Sequence, residues 1–492
     1  MHHPIRPQKT SRTEQSCPAG LLAATLLLAA FPLAGRAADL FNVSATDGFT
    51  TTTAGDKNVV DLISKLVRAE GEFLPFNGTA FTAALNYAGV PNAIQFIENA
   101  TGTSVTLGIP STGLSRNFNG PTRSDVDDQI TAWLKKDGAD EMAKFLKAMN
   151  QRSLVAVSDG NPNSATARAA SQGFSSYGML DAATQEEQEA DEEGGSRSGF
   201  GMIADVGTID ANGIKGQVYS LPLYARFKLT KRVGLNFDIP LSYADIEGST
   251  VFGFGLGVAV PIKAILRTKG NPWYWQITPF GGANVSGSAD FAAGGMLANG
   301  GIVSLLAHDF GRATLSMGNQ LTIHEGIPIT VDDYKFDPGV SQQILKNGVK
   351  LDVPFARRWI FDVYGIHTKF VETAAVDQYF TVGAGIGYKR IPKPGSAKKS
   401  SGYVKVGLYA DMGDDYTSAH AHFGTGWKFY PTAEPFASAR LPGSGGRAVF
   451  FGEGRLKHLL NSGQGPQNGP RPRQEPCMHR CSGGRAIMPS SQ

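Results

Sequence analysis

From about residue 199 to residue 429 the chain alternates apolar and polar side chains, the period of a β-strand. Tyr219, Leu221, Leu223, Ala225, Phe227 and Leu229 alternate with Ser220, Pro222, Tyr224, Arg226 and Lys228. After a tight turn at Thr230-Lys231-Arg232, Val233, Leu235, Phe237, Ile239, Leu241 and Tyr243 alternate with Gly234, Asn236, Asp238, Pro240 and Ser242. This predicts a hairpin whose apolar face, about ten residues long, spans a bilayer when tilted. Phe252 to Ile262, Phe380 to Tyr388 and Val404 to Met412 repeat the pattern, mostly against inward Gly, Ala and Lys. Counting gives about twelve strands, centred near 204, 223, 238, 257, 279, 301, 318, 349, 364, 383, 407 and 423, with ten to fourteen allowed by weaker patterning near 301 and 364. An even count closes the sheet, removes its edges and pairs every backbone group in lipid. A soluble sandwich would not need Phe, Trp and Tyr at the strand ends of each apolar face.

Residues 38–180 read differently. Val59, Val60, Leu62, Ile63, Leu66 and Val67 form one helical stripe. Ser124 is placed to cap a second helix carrying Val126, Ile130, Trp133 and Leu134. Asp140 starts a third with Met142, Phe145, Leu146 and Met149, and 164–172 allows a fourth, short one. Residues 181–198 are acidic and read as a solvated linker. The fold class expected is therefore an all-β transmembrane β-barrel of about twelve antiparallel strands over 199–429, preceded by a small mainly α-helical domain.

The termini and composition sharpen this picture. Arg6, Lys9 and Arg12 precede the apolar run Leu21–Phe31, and Gly35-Arg36-Ala37 supplies small residues, so residues 1–37 read as a secretory signal peptide. No stretch after it approaches the roughly 18 apolar residues of a spanning helix. The three cysteines are Cys17, Cys477 and Cys481, so disulfides do not hold the body together. A net charge of +3 points to no nucleic-acid partner. Residues 430–492, rich in Gly, Pro, Ser and Arg, read as a disordered extension or as the product of a reading-frame slip.

The final alternating strand places Ala419, Ala421, Phe423, Thr425, Trp427 and Phe429 on one face and His420, His422, Gly424, Gly426 and Lys428 on the other. His422, Gly424, Trp427 and Phe429 resemble the insertion signal that ends bacterial outer-membrane β-barrels. The resemblance implies residence in the cell outer membrane, contact with its lipid, and biogenesis through the secretion translocon and the barrel-assembly machinery. The order of signal, N-terminal segment, linker and barrel resembles an autotransporter, although the passenger segment is short and shows no protease triad. A porin-like barrel with a periplasmic helical domain has the same order. An even strand count puts both barrel ends on the periplasmic side, and the domain with them unless it threads the pore.

Candidate chemistry is sparse. Arg226, Lys228, Asn236, Asp238, Lys263, Lys350, Asp352, Lys405, Tyr409, Asp411, His420 and His422 are expected to line a polar lumen, either open or closed by mutual pairing. The glycine series Gly253-x-Gly255-x-Gly257 and Gly383-x-Gly385-x-Gly387 lie inside strands, so they do not read as phosphate loops. They mark inward positions that allow curvature or close approach of something in the lumen. His308-Asp309 and His324-Glu325 are fragments of a hydrolytic site with no G-x-S-x-G. Cys477 to Cys481 offers too few metal ligands. We therefore expect no catalytic centre, no cofactor and no bound metal, and the sequence names no ligand.

Overall fold

The computed structural model describes residues 40–134, 138–177, 198–268, 270–331, 334–356, 358–390 and 401–429. The signal at 1–37, nearly all of the acidic linker and the tail at 430–492 lie outside the described residues.

The N-terminal domain contains a six-stranded antiparallel sheet that the helical reading missed. Its strands are β1 (Phe41–Thr46), β2 (Thr51–Asp56), β3 (Phe81–Tyr87), β4 (Val90–Glu98), β5 (Ser104–Ile109) and β6 (Leu114–Asn119), in the order β2-β1-β3-β4-β5-β6. Only three of the four short helices belong to this domain, so it is an α+β unit rather than a mainly helical one. The first is α1 (Val59–Arg68), which buries Val59, Leu62, Ile63, Leu66 and Val67 and is capped by Asn58, whose side chain accepts from Val60 and Asp61. Next comes α2 (Arg123–Ala132), capped by Thr122 in a reciprocal box with Asp125 and not by Ser124. The last is α3 (Ala139–Asn150), which buries Phe145 and Met149.

The barrel has twelve spans. They are β7 (Ser198–Ala211), β8 (Ile214–Ser220) with β9 (Leu223–Lys228), β10 (Gly234–Ile239) with β11 (Leu241–Ile246), β12 (Ser249–Ala259) with β13 (Ile262–Ile265), β14 (Trp273–Ser288), β15 (Ala293–Phe310), β16 (Ala313–Ile327), β19 (Ser341–Ala356), β20 (Trp359–Phe370), β21 (Gln378–Arg390), β22 (Ser401–Gly413) and β23 (Tyr416–Phe429). A small hairpin, β17 (Ile329–Val331) and β18 (Tyr334–Phe336), decorates the β16–β19 connection. Pairing of β23 with β7, from Tyr416↔Ala211 to Phe429↔Ser198, closes the ring. The three broken spans each break at a proline (Pro222, Pro240 or Pro261), which has no N–H for the ladder. Their carbonyls still accept, from Ile203, Gly255 and Gly234 respectively.

Along β12 the outward side chains Phe252, Phe254 and Leu256 are more than half exposed, at 59%, 55% and 53%. Val349, Val363, Val382, Ile386, Val406 and Leu408 continue this apolar band on other strands. At the barrel end that carries Ser198 and Phe429, exposed Phe200, Trp273, Trp275, Phe310, Phe355, Trp359 and Trp427 form an aromatic girdle. A closed sheet dressed this way satisfies its backbone internally and presents hydrocarbon-compatible side chains outward, as a membrane requires.

The domain sits at the opposite end. One buried cluster joins Phe41, Tyr87 and Phe145 of the domain to Ile209, Ala211, Ile246, Phe291, Phe370 and Tyr416 of the barrel. Phe41 and Phe291 meet edge to face at 5.3 Å, and the Tyr87 hydroxyl donates to the Phe291 carbonyl at 2.7 Å. The fourth helix, α4 (Ala165–Tyr177), runs from this end down inside the barrel.

Candidate functional site

The lumen is the only part of the molecule where many polar side chains converge on one another, among the described residues. Strand alternation sends every second side chain inward, and α4 occupies the space between them. A ring of twelve strands tilted ~40° and spaced ~4.8 Å has a Cα radius of about 12 Å. Inward side chains then leave about one helix diameter, ~10–12 Å.

The helix fits because it is built of small residues. Ala165, Ala167, Ala169 and Ala170 are all buried. A Cβ on Gly173 would come within 3.3 Å of the Phe280 ring, so glycine suits that approach. Phe174 is the one large anchor, packed with Tyr274, Leu305, Ala307, Tyr364 and Ile366. Polar contacts fix the helix as well. Gln320 Nε2 donates to the Ala170 carbonyl at 2.9 Å, and Lys346 Nζ donates to Ser171 Oγ at 2.7 Å. Above the helix, Asp159 accepts from Thr166 Oγ1 at 2.6 Å and from Gln342 Nε2 at 3.2 Å, tying the entry of α4 to β19.

Most residues expected in the lumen face it. Arg226, Asn236, Asp238, Lys263, Lys350, Asp352 and Lys405 are buried, whereas Leu223 and Phe237 are exposed on the outer face. Arg226 lies over the Tyr224 ring at 4.7 Å, and Lys228 is half-buried near the girdle end. Lys405 pairs with Asp362 at 2.9 Å and Lys350 with Asp352 at 3.1 Å, so ion pairs line the β19–β22 wall in the girdle half of the lumen. Higher up, His420 Nδ1 meets Asp205 at 2.9 Å and Nε2 meets Ser418 Oγ at 3.0 Å, with the Tyr409 ring stacked on the imidazole at 4.4 Å. Asp411 accepts from Thr381 Oγ1 at 2.5 Å and Ser418 Oγ at 2.9 Å. His422 faces the same cavity and tilts toward Tyr409.

Ser418, His420 and Asp205 have the connectivity of a hydrolytic relay, which sequence reading missed because Asp205 is far away in the chain. The Ser418 hydroxyl has a single proton and two neighbours that can accept it, Asp411 at 2.9 Å and His420 Nε2 at 3.0 Å, so the carboxylate competes with the imidazole for it. The group ties β7, β22 and β23 together. The inward glycines have a related use: a Cβ at Gly383 would collide with the Tyr364 ring, and one at Gly407 with the His422 ring. They make room for large side chains on neighbouring strands.

The remaining fragments do not assemble. His308 meets Trp273 edge to face and Phe310 at a tilt, and Asp309 pairs with Arg267 at 2.8 Å. His324 is fully buried, with neither ring nitrogen hydrogen-bonded among the described residues, while Glu325 is exposed and accepts from Ser341. Of the four insertion-signal residues, His422 and Gly424 line the lumen, Trp427 is exposed at the girdle, and Phe429 ends β23 opposite Ser198.

No protein-family model matches the chain, and no curated protein does. Among solved structures, the chain is similar to the translocator domain of the autotransporter NalP from Neisseria meningitidis, at 11% identity and a TM-score of 0.33, over 50% of this chain and 95% of that one. The beta domain of the Bordetella autotransporter Brka gives 11% identity and a TM-score of 0.35, over 48% and 99% of the two chains. A KdgM porin in complex with disordered oligogalacturonate gives 10% and 0.28, over 47% and 99%. By its own closed ring, outward apolar band and aromatic girdle, the chain is a twelve-strand outer-membrane β-barrel, resembling the autotransporter barrels in architecture.

Proposed function

We propose that the barrel holds the N-terminal α+β domain at the cell surface, with α4 as the tether that crosses the membrane inside the lumen. The observation that carries this reading is positional. The domain packs on the barrel end opposite Ser198 and Phe429. An even-stranded barrel whose closing strand is read from the periplasm keeps both its chain ends there, so the opposite rim faces outward. A passive pore fits less well, because α4 occupies much of the lumen and the wall charges of Lys405 and Lys350 are paired. We assign no catalytic step, since Asp411 competes with His420 for the Ser418 hydroxyl proton.

The test uses Phe49, fully exposed at the tip of the β1–β2 hairpin. In full-length Phe49→Cys with Cys477 and Cys481 changed to Ser, a membrane-impermeant maleimide should label intact cells. Labelling only after the outer membrane is permeabilised would place the domain in the periplasm and overturn the display reading.

A further inference from the structure

Because α4 packs against β14, β15, β16 and β19, it leaves space along the opposite wall. That space is a cavity of about 210 Å³ between α4 and the wall from Lys346 of β19 through β20 and round by β7 to β12 and the end of β14. One water needs ~10–15 Å³ of such space, so the cavity takes several waters or one small organic ion.

Its charges are unevenly matched. Lys405 is paired with Asp362. Asp205 Oδ1 is engaged by His420 while its Oδ2 has no hydrogen-bond partner among the described residues, and Asp411 is engaged by two hydroxyls, all on the far wall. On the helix side two cations form no direct ion pair, Lys346 having only the more distant charge of Asp411. Lys346, only 3% exposed, reaches neutral oxygens alone: Ser171 Oγ at 2.7 Å and the Tyr379 hydroxyl at 3.5 Å. Arg168 lines the same cavity one turn from Ser171, on the same helix face. Its Nε and the Nε2 of Gln172 are buried atoms with no hydrogen-bond partner, and among the described residues no carboxylate forms an ion pair with Arg168 or Lys346. Leaving a buried cation without a counter-charge is costly.

We propose that this cavity binds a small oxyanion, of the carboxylate or phosphate class, between the Arg168 guanidinium and the Lys346 ammonium, with the Gln172 amide as a further donor. The guanidinium fork suits two oxygens of one such group. Since Arg168 and Gln172 belong to α4 and Lys346 to the wall, the ion would also pin the helix in place. The site stands whichever side of the membrane the domain occupies.

The test is calorimetric titration of the purified full-length protein in detergent with sodium phosphate and, separately, sodium sulfate, against sodium chloride at matched ionic strength. Saturable binding of both oxyanions at one site is expected, weakened at least tenfold in Arg168→Met and in Lys346→Met and retained in part by Arg168→Lys. No saturable heat beyond that of chloride, or unchanged affinity in both Met variants, overturns the proposal. If the Met variants do not form barrel, Gln172→Cys, with Cys477 and Cys481 changed to Ser, provides the second readout. Phosphate should slow its modification by a small thiosulfonate in a saturable way, and an unchanged rate would be equally fatal.

Discussion

Phe174→Ala separates the docking of α4 from the integrity of the barrel. The ring is 1% exposed and packs among Tyr274, Leu305, Ala307, Tyr364 and Ile366. Truncating a buried Phe to Ala costs about 3–5 kcal/mol, the sum of lost transfer energy and an incompletely collapsed cavity. Every strand–strand hydrogen bond survives the change, so this cost falls on the helix–wall contact. At ~1.4 kcal/mol per decade, the undocked population rises roughly a hundredfold to a few thousandfold. Full-length protein in planar bilayers should then show openings far more often than the wild type, while heat-modifiable migration on gels stays normal. Phe355→Ala is the matched control: that ring is exposed on the outer girdle, and its loss should leave the openings unchanged. Folded Phe174→Ala barrel with wild-type conductance would show that α4 does not seal the lumen through this anchor, and the reasoning would fail.

Leu223 faces lipid and Asp238 the lumen, so Leu223→Arg should cost about 2–4 kcal/mol near the midplane and lower barrel yield, whereas Asp238→Asn should not; equal yields of heat-modifiable barrel would refute the facing. Lys405→Met strands the buried Asp362 carboxylate and should cost about 3–5 kcal/mol in urea unfolding, with most of the loss recovered by adding Asp362→Leu; an undiminished loss in the double variant would contradict the pairing. In the domain, burial lifts the Glu98 carboxyl to about 7 despite Arg123 at 2.8 Å. A raised folded-state pKa contributes stability that is complete below the unfolded value near 4.5 and lost as pH rises through about 7, on the order of 3 kcal/mol here. Pulse proteolysis of the domain should show that loss in the wild type and a flatter profile in Glu98→Gln, and parallel profiles would rule it out.

The barrel was readable because lipid enforces alternation along most of the outer face. All twelve centres counted from the pattern fall inside observed spans, including those near 301 and 364, where patterning is weak and the strands are Ala293–Phe310 and Trp359–Phe370. The domain sheet was not readable, for local reasons. β2 is Thr-Thr-Thr-Ala-Gly-Asp and has no large apolar side chain to alternate, and β4 carries Pro91 and a positive-φ Asn92 near its start. α4 was visible as a short helix, but a run of Ala, Ser and Gly carries no apolar stripe that would assign it a partner. Inward positions could be named from period two alone, yet their pairing could not. Lys405 reaches Asp362 across an intervening strand, and Asp205 reaches His420 across the closing seam. Both contacts depend on register and closure, which local alternation does not contain.

These two scales, a helix-wide lumen and a folded domain on its rim, constrain how the architecture can arise. Six strands at ~4.8 Å make a sheet about 24 Å across, and the helical layer adds ~10 Å more. Neither dimension passes a bore of about one helix diameter, so if the domain reaches its end of the barrel through the lumen it does so unfolded. Its core also does not close on itself. Phe41, Tyr87 and Phe145 complete their packing on Phe291, Ile209 and Tyr416, which belong to the barrel rim. The α1 helix starts with its first amide donating to the carbonyl of Asp290 at 2.9 Å, and Ser249 Oγ donates to the Lys57 carbonyl at 2.5 Å. The rim therefore supplies part of the domain's hydrophobic core and part of its hydrogen bonding. A segment emerging there would gain its burial energy only on that side. Under the proposed display, folding against the rim and retention of α4 in the lumen would be one event, because the chain could not slide back without unfolding the domain.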